Sequence, residues 1–330
     1  MTRFTSLSII ATLLIGGVSG FCSSTVSTQR RSSCLHTRRA IFESRLQRDE
    51  EQDEVTPSIH RRSLLASTFA AAYCTCCHPF SANAAIELTQ PSTTLRPRSK
   101  LIDSIFAEQM ATGMVDYEKE VEQYKSALFE KLFNSLASEH NSDGASVPVI
   151  VEVGMGTFPN AKYYAQALSS GVELTGLDII GVDPNSSMSS YAQDNARQYG
   201  LSTSLRTVNG VAEDLPFADG SVDAIITTLT LCSVVDQIKA LSEIRRVLKP
   251  DGGKFLFWEH VLSEDDNSLA LQQKLLNPLQ TISADGCHLN RRTGMNIQKS
   301  FDGNVDLNYV TLEDKWVIGP TTFGIATVKR

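Results

Sequence analysis

Apolar positions along this chain follow two different periods, and each change of period falls at turn-forming residues. Behind Met114 they fall at Tyr117, Val121, Tyr124, Leu128, Leu132 and Leu136, three and four residues apart. That spacing lays one stripe along a helix of 3.6 residues per turn and predicts a single amphipathic helix, ended by Asn141-Ser-Asp-Gly144. Residues 147–153 are apolar except for Pro148 and Glu152, as in a strand covered on both faces. A helix is expected over 161–168, a second strand near 178–183, a helix over 184–199 and a third strand over 204–208. Residues 223–231 predict a fourth strand. Residues 237–248 predict a helix stopped by Pro250 and Gly252-Gly253, and 254–259 a fifth strand. Residues 304–312 and 324–329 read as two more strands with no helix-length connection, an antiparallel hairpin appended to the sheet. Such alternation dictates an α/β fold: a mostly parallel seven-stranded sheet, helices on both faces and an antiparallel C-terminal hairpin.

The first 84 residues read differently, as a targeting presequence. Residues 4–20 are mostly apolar behind Arg3, with Val18 and Gly20 placed for signal-peptidase cleavage. Residues 21–42 carry Arg30, Arg31, Arg38 and Arg39, many Ser and Thr, and no acid, the composition of an organellar transit peptide. Arg61-Arg62 before an apolar run, and Ala82-Asn-Ala84 after it, form a second export signal of twin-arginine type. The succession, with Phe21 after the first cleavage point, resembles the presequences of algal plastids bounded by extra membranes. It implies a plastid location with delivery to the thylakoid lumen; the alternative is a secreted or endomembrane-anchored protein. Residues 85–145 are expected as a linker and the amphipathic helix, and 146–330 as the main domain.

Removing the presequence takes away 9 of 30 basic and 6 of 37 acidic residues, leaving 21 basic and 31 acidic, net −10. That balance excludes a nucleic-acid surface, which needs concentrated Lys and Arg. Five of seven cysteines also leave, so Cys232 and Cys287 remain, too few for a disulfide framework. Cys74-Thr-Cys76-Cys77-His78 lies inside the export signal, and no metal site is expected.

Candidate chemistry sits at strand ends. Residues 149–160 read Val-Ile-Val-Glu-Val-Gly-Met-Gly-Thr-Phe-Pro-Asn, a strand with Glu152 followed by Gly154 and Gly156. One strand later, Asp183 closes an apolar run ahead of Pro184 and Asn185. Glycines let a ligand approach the backbone, and a carboxylate accepts hydrogen bonds from ribose hydroxyls. The third glycine of a dinucleotide fingerprint is missing, and Glu152 is placed for a ligand amine or hydroxyl. A ligand with a sugar and an amino acid but no pyrophosphate suits these groups, and S-adenosylmethionine is one. Gly210-Val-Ala-Glu-Asp-Leu-Pro-Phe217 would put Ala212 and Glu213 beside the adenine, and Leu229 belongs to the same expected site.

These residues resemble the class I S-adenosylmethionine-dependent methyltransferases of the type-11 group, whose strand-one E-x-G-x-G, strand-two acid, acid-Leu-Pro-Phe loop and Leu-Lys-Pro-Gly-Gly turn recur in this order. The last is Leu248-Lys-Pro-Asp-Gly-Gly253 here, one residue longer. Thr228–Val234, Phe257-Trp-Glu-His-Val261, Gln272-Gln273, Asn277-Pro278 and Asp285-Gly-Cys-His-Leu289 narrow the resemblance to the methyltransferase-like protein 7 family, whose animal members are thiol S-methyltransferases. The resemblance covers roughly residues 117–329 and implies a Rossmann-like methyltransferase fold with methyl transfer to a small thiol or related nucleophile. Contact with a membrane is compatible with this reading and not required by it. Phe158 stands where the family usually has a third glycine, which should make the loop bulkier against the methionine end.

Methyl transfer from an activated sulfonium needs mainly alignment and exclusion of water. Candidates for acting on the acceptor are Cys232, Glu259, His260 and Asp285, with Cys287 and His288 nearby. Each has a plainer reading: Cys232 as packing, Glu259 as an ion-pair partner, Asp285 as a helix cap. Tyr117 could cover the site or belong to the core. Two other readings remain at this level: a C- or O-methyltransferase of a quinone-like lipid, and a non-catalytic binding protein, supported only by Phe158.

Overall fold

Val149–Val153 (β1) has neighbours on both sides, which is why its side chains form an unbroken apolar run. It pairs in parallel with Asp178–Asp183 (β2) and, on its other edge, with a later strand. The computed structural model describes residues 96–142, 147–172 and 176–329, with Leu88 and Leu174 as isolated positions. The targeting reading of residues 1–84 and most of the linker reading lie outside the described residues.

Beyond β2, Leu205–Asn209 (β3) forms one edge of the sheet, while Ala224–Thr228 (β4) and Lys254–His260 (β5) continue it past β1. Val305–Thr311 (β6) and Pro320–Thr327 (β7) complete seven strands in the order β3-β2-β1-β4-β5-β7-β6. The first five are parallel; β7 runs antiparallel to both β5 and β6. A 3-10 turn, Glu313–Ile318, joins the last two strands. This is the mixed sheet expected from the sequence, with the appended hairpin.

Eight helices are described: Lys100–Gly113 (α1), Val115–Glu120 (α2), Glu122–Ser142 (α3), Ala161–Ser169 (α4), Met188–Gln198 (α5), Gln237–Val247 (α6), Asn267–Ser283 (α7) and Thr293–Ser300 (α8). Alternating side chains of each strand point to opposite faces. Ile150, Ile179, Ile226 and Leu256 therefore pack with α3, α4 and α5. Val151, Val153, Ile180, Ile225 and Phe255 pack on the other face with α6 and α8. No described helix is long and apolar enough to cross a membrane.

Three expectations change. The single helix from Met114 is two, divided at Val121, where Tyr124 N–H bonds the Val121 carbonyl in a tightened turn. Tyr117 and Val121 join Trp258 and Leu312 in a separate cluster, while Leu128, Leu132 and Leu136 enter the main core; the bend lets one stripe serve both. β4 stops at Thr228 because Leu229 takes a left-handed backbone (φ 54°), so residues 229–232 form a turn and not strand. Helices α1, α7 and α8 have no counterpart in the sequence reading.

Trp258 is fully buried, and its indole N–H donates to the Tyr117 hydroxyl at 2.7 Å, tying α2 to β5. Tyr117→Phe leaves that buried donor without its partner, a loss of about 1–3 kcal/mol. A lower urea midpoint at unchanged slope is the expected result; an unchanged midpoint would show that the bond contributes nothing.

Candidate active site

Between β1 and β4 the sheet changes direction of winding, and an open α/β sheet has its crevice beyond the carboxyl ends of such strands. A cleft with about 1140 Å³ of empty volume, including its open mouth, lies there. Its floor is built from the three strand tips. Gly154 N–H donates to the Val182 carbonyl at 2.7 Å, and Gly156 N–H donates to Asp183 Oδ2 at 2.8 Å. Asp183 Oδ1 accepts from Asn185 N–H, also at 2.8 Å. The Thr230 side chain packs where a Cβ on Gly154 would stand, and its hydroxyl bonds the Val153 carbonyl at 3.1 Å. Gly154 is thus required by contact, at φ 65°, and Gly156 (φ 57°) faces open space.

Gly154, Gly156, Asp183, Pro184, Ala212, Glu213, Leu229 and Asp285 line this cleft. Five other candidates do not. Glu152 is 1% exposed, and its oxygens are taken up below the cleft surface, accepting from Asn160 Nδ2 (2.8 Å) and the Tyr164 hydroxyl (2.9 Å). Asn185 is buried after β2, its side chain donating to the Asp103 carbonyl and thereby fastening α1. Glu259 is fully buried and accepts from Thr230 N–H, so it fixes the turn after β4. Cys232 and His260 are buried with Cys287 behind the cleft wall. The placement of Glu259, His260 and Cys232 against an acceptor is therefore corrected: all three lie beneath the surface that an acceptor would meet.

Phe158 is corrected as well. It does not line the cleft; its ring is fully buried in the core, edge-on to Tyr164 at 5.3 Å between centroids. Its backbone keeps the left-handed conformation (φ 59°) that a glycine would take.

The outer wall comes from residues missed in the sequence. Phe106, Met110 and Met114, spaced four apart, give it an apolar side, a periodicity visible in hindsight. Arg96 donates to the carbonyls of Asp285 (3.1 Å) and Ser233. Arg98 pairs with Asp103 at 2.8 Å and Asp285 at 3.1 Å. Lys125, 1% exposed, pairs with Glu118 at 2.8 Å, and Glu118 also accepts from the Tyr163 hydroxyl at 2.9 Å. Burial pushes the Lys125 ammonium below its ordinary range despite Glu118. Glu213 is committed too, accepting from Val235 N–H (2.6 Å) and Asp236 N–H (3.1 Å) ahead of α6.

Residues 151–257 match the methyltransferase domain family. The chain is 32% identical over 224 residues to thiol S-methyltransferase TMT1B of Rattus norvegicus, covering 67% of this chain and 85% of that protein. It is 31% identical to thiol S-methyltransferase TMT1A of Homo sapiens, over 54% of this chain and 69% of the relative. A shorter match, 40% identical over 81 residues, is to the ubiquinone/menaquinone biosynthesis C-methyltransferase UbiE of Haemophilus ducreyi, covering 24% of this chain and 31% of that protein. Sheet order, strand-tip crevice and these matches define a class I methyltransferase that uses S-adenosylmethionine. The chain belongs to the methyltransferase-like protein 7 family, which contains the thiol S-methyltransferases named above.

The residues present fit that cofactor. The space above Gly156 is clear of any atom within 4 Å of a would-be Cβ, so a ligand can lie on the bare backbone. Each Asp183 oxygen accepts one backbone N–H and keeps further lone-pair capacity for a hydroxyl.

Burial raises the Glu152 carboxyl from 4.5 to about 7, against the hydrogen bonds from Asn160 and Tyr164. A carboxyl that holds its proton more tightly when folded favours the folded state at low pH, and this benefit is lost as pH climbs from about 4.5 through 7. Glu152→Gln should remove that fall, worth up to about 3 kcal/mol. Denaturation at pH 5 and pH 8 checks it: a variant whose stability drops with pH as much as the wild type does would refute the assignment.

Proposed function

We propose that this methyltransferase methylates the sulfur of a small thiol with an apolar body. One observation carries the reading: every titratable side chain lining the cleft is already partnered. Asp285 is paired with Arg98, Glu118 with Lys125, Glu213 with two backbone N–H groups and Asp183 with two more. No lining histidine or cysteine is present among the described residues. A free general base is thus not supplied, which suits an acceptor that ionises by itself. A thiol does so near pH 8.5, whereas a phenol-like hydroxyl needs about pH 10. The thiol S-methyltransferase relatives support the same acceptor class.

Bound S-adenosylmethionine supplies a methyl group on a positively charged sulfur, ready for in-line attack. The chain's own residues then have three tasks. In this reading Asp183 accepts from the ribose hydroxyls, with Pro184, Ala212, Glu213 and Leu229 around the nucleoside. The Gly154–Gly156 turn leaves room for the amino-acid tail. Phe106, Met110 and Met114 close the outer side against water, which keeps the thiolate poorly hydrated and reactive. Glu152 and Asn185 act at one remove, by holding Asn160 and α1 in place.

We read the compartment from residues 1–84 as a plastid, with the thylakoid lumen as destination. N-terminal sequencing of the native protein tests it, and a terminus near residue 21 would favour secretion instead.

Burial raises the Asp183 carboxyl to about 6, against the Asn185 and Gly156 N–H groups. An ionised acceptor is needed, so cofactor affinity should hold above about pH 7 and weaken as pH falls through 6. Asp183→Asn should weaken binding about ten- to a hundredfold and abolish that pH dependence. Calorimetric titration decides, and undiminished affinity in the variant sinks the site assignment. For the acceptor, the enzyme is incubated with labelled methyl donor and a panel of alkyl thiols and quinols. Label is expected in thiols; label in quinols alone would remove the thiol reading and favour the UbiE-like one.

A further inference from the structure

Behind the cleft wall, three segments distant in sequence bring together the side chains of Cys232, His260 and Cys287. Cys232 follows β4, His260 ends β5, and Cys287 lies in the loop between α7 and α8. One ligand-capable atom from each lies within 4.8 Å of the other two, and His260 Nε2 is 3.1 Å from Cys287 Sγ. All three are buried, at 1%, 5% and 6% exposure. We propose that these residues form a buried Cys₂His site for a zinc ion.

The donor set selects the metal. Two soft sulfurs and one imidazole suit Zn²⁺ over hard cations such as Mg²⁺ or Ca²⁺, which take oxygen ligands. With Zn–S near 2.3 Å and Zn–N near 2.0–2.1 Å, tetrahedral ligand atoms stand about 3.5–3.8 Å apart. The three atoms already approach that spacing, so closing on a metal needs only small movements of side chains. A fourth position stays available for water or another small ligand, as in sites with three protein ligands.

The surroundings are arranged as metal sites are. Gln280 Nε2 donates to Cys287 Sγ at 3.5 Å, and a second-layer amide of this kind orients a thiolate ligand. His288 N–H donates to the Cys232 carbonyl at 2.9 Å, locking two of the three segments together. Leu289 N–H donates to Asn277 Oδ1 at 2.8 Å, fixing the Cys287 loop to α7. Glu259, next to His260, holds the turn that carries Cys232 through Thr230 N–H. The ligands are therefore held in place by bonds that do not involve a metal.

None of the three lines the cleft, but Ser233 and Asp285, one and two residues away from the cysteines, do. The ion would fix where those two stand, and its role is positional, independent of the acceptor's identity. A disulfide between Cys232 and Cys287 is the competing use of the pair.

The test uses the chain purified without a polyhistidine tag, stripped with chelator under reducing conditions and reconstituted with Zn²⁺ alone. One zinc per chain by elemental analysis is expected, together with a raised Tm. Cys232→Ser, Cys287→Ser and His260→Ala should each lose the ion. Co²⁺ in its place should give the intense sulfur-to-metal absorption of a thiolate-bound tetrahedral ion. Should a variant fail to fold, the cobalt spectrum and zinc stoichiometry of the wild-type chain decide alone. No stoichiometric zinc in the reconstituted wild type, zinc retained in the folded Cys232→Ser/Cys287→Ser variant, or a Cys232–Cys287 disulfide in the native chain would overturn the proposal.

Discussion

Everything at the ligand end of this sheet depends on where the Asp183 carboxylate is held. Its two oxygens accept from Gly156 and Asn185, so one side chain joins the tip of β1, the tip of β2 and the approach to α5. The Asn185 side chain passes the constraint on, by its bond to the Asp103 carbonyl, to α1 at the outer wall. Gly154 and Thr230 interlock on the other side and bring in the turn after β4. A carboxylate taken partly out of water costs free energy, and the two N–H donors offset some of it. What remains is a group with a raised proton affinity and spare acceptor capacity, a condition that a bound hydroxyl relieves.

The cleft's other charges show a different economy. Glu118 and Lys125 are both buried, and such a pair gains little net stability after desolvation. Its effect is to keep charge present but internally compensated next to the apolar wall. Arg98 does the same with Asp103 and Asp285. Under the proposed reading, a cleft built this way offers orientation without a free base, and chemical selectivity falls to the acceptor's own acidity. On α7 the apolar side chains of Leu271, Leu275 and Ile282 are exposed.

The sheet was legible because burial on both faces makes strand runs continuous, and β2 ends where its pattern ends, at Asp183. That Gly154, Asp183 and Ala212 line the cleft was legible too, since they stand at strand tips or in the loops directly after them. Glu152 was misplaced because a strand tip specifies height and not side. Residues alternate, so Glu152 shares the face of Ile150 and reaches Asn160 and Tyr164 instead of the cleft. Helix α1 and Arg96 were missed for another reason. Arg96-Pro-Arg98 reads locally as linker, and only contacts with Asp285 and Ser233, nearly two hundred residues on or fewer, show its role. Glu259 and His260 fall at the end of β5 as expected, but Glu259 is taken up by the turn after β4 and His260 by Cys287 of the loop before α8.

Phe158 shows how the fold tolerates a departure that the sequence made look damaging. A non-glycine residue at φ 59° carries backbone strain of about 1–3 kcal/mol. Full burial of a phenyl ring returns about 1.5–3 kcal/mol, and its edge contact with Tyr164 adds to that. The two terms are of equal size, so the turn keeps a glycine-like path without a glycine. Because the ring faces the core, the cleft above Gly156 stays clear. The single feature that favoured a non-catalytic reading therefore leaves the cleft unobstructed: the phenyl packs beneath the loop, in the core, and not in the ligand's space.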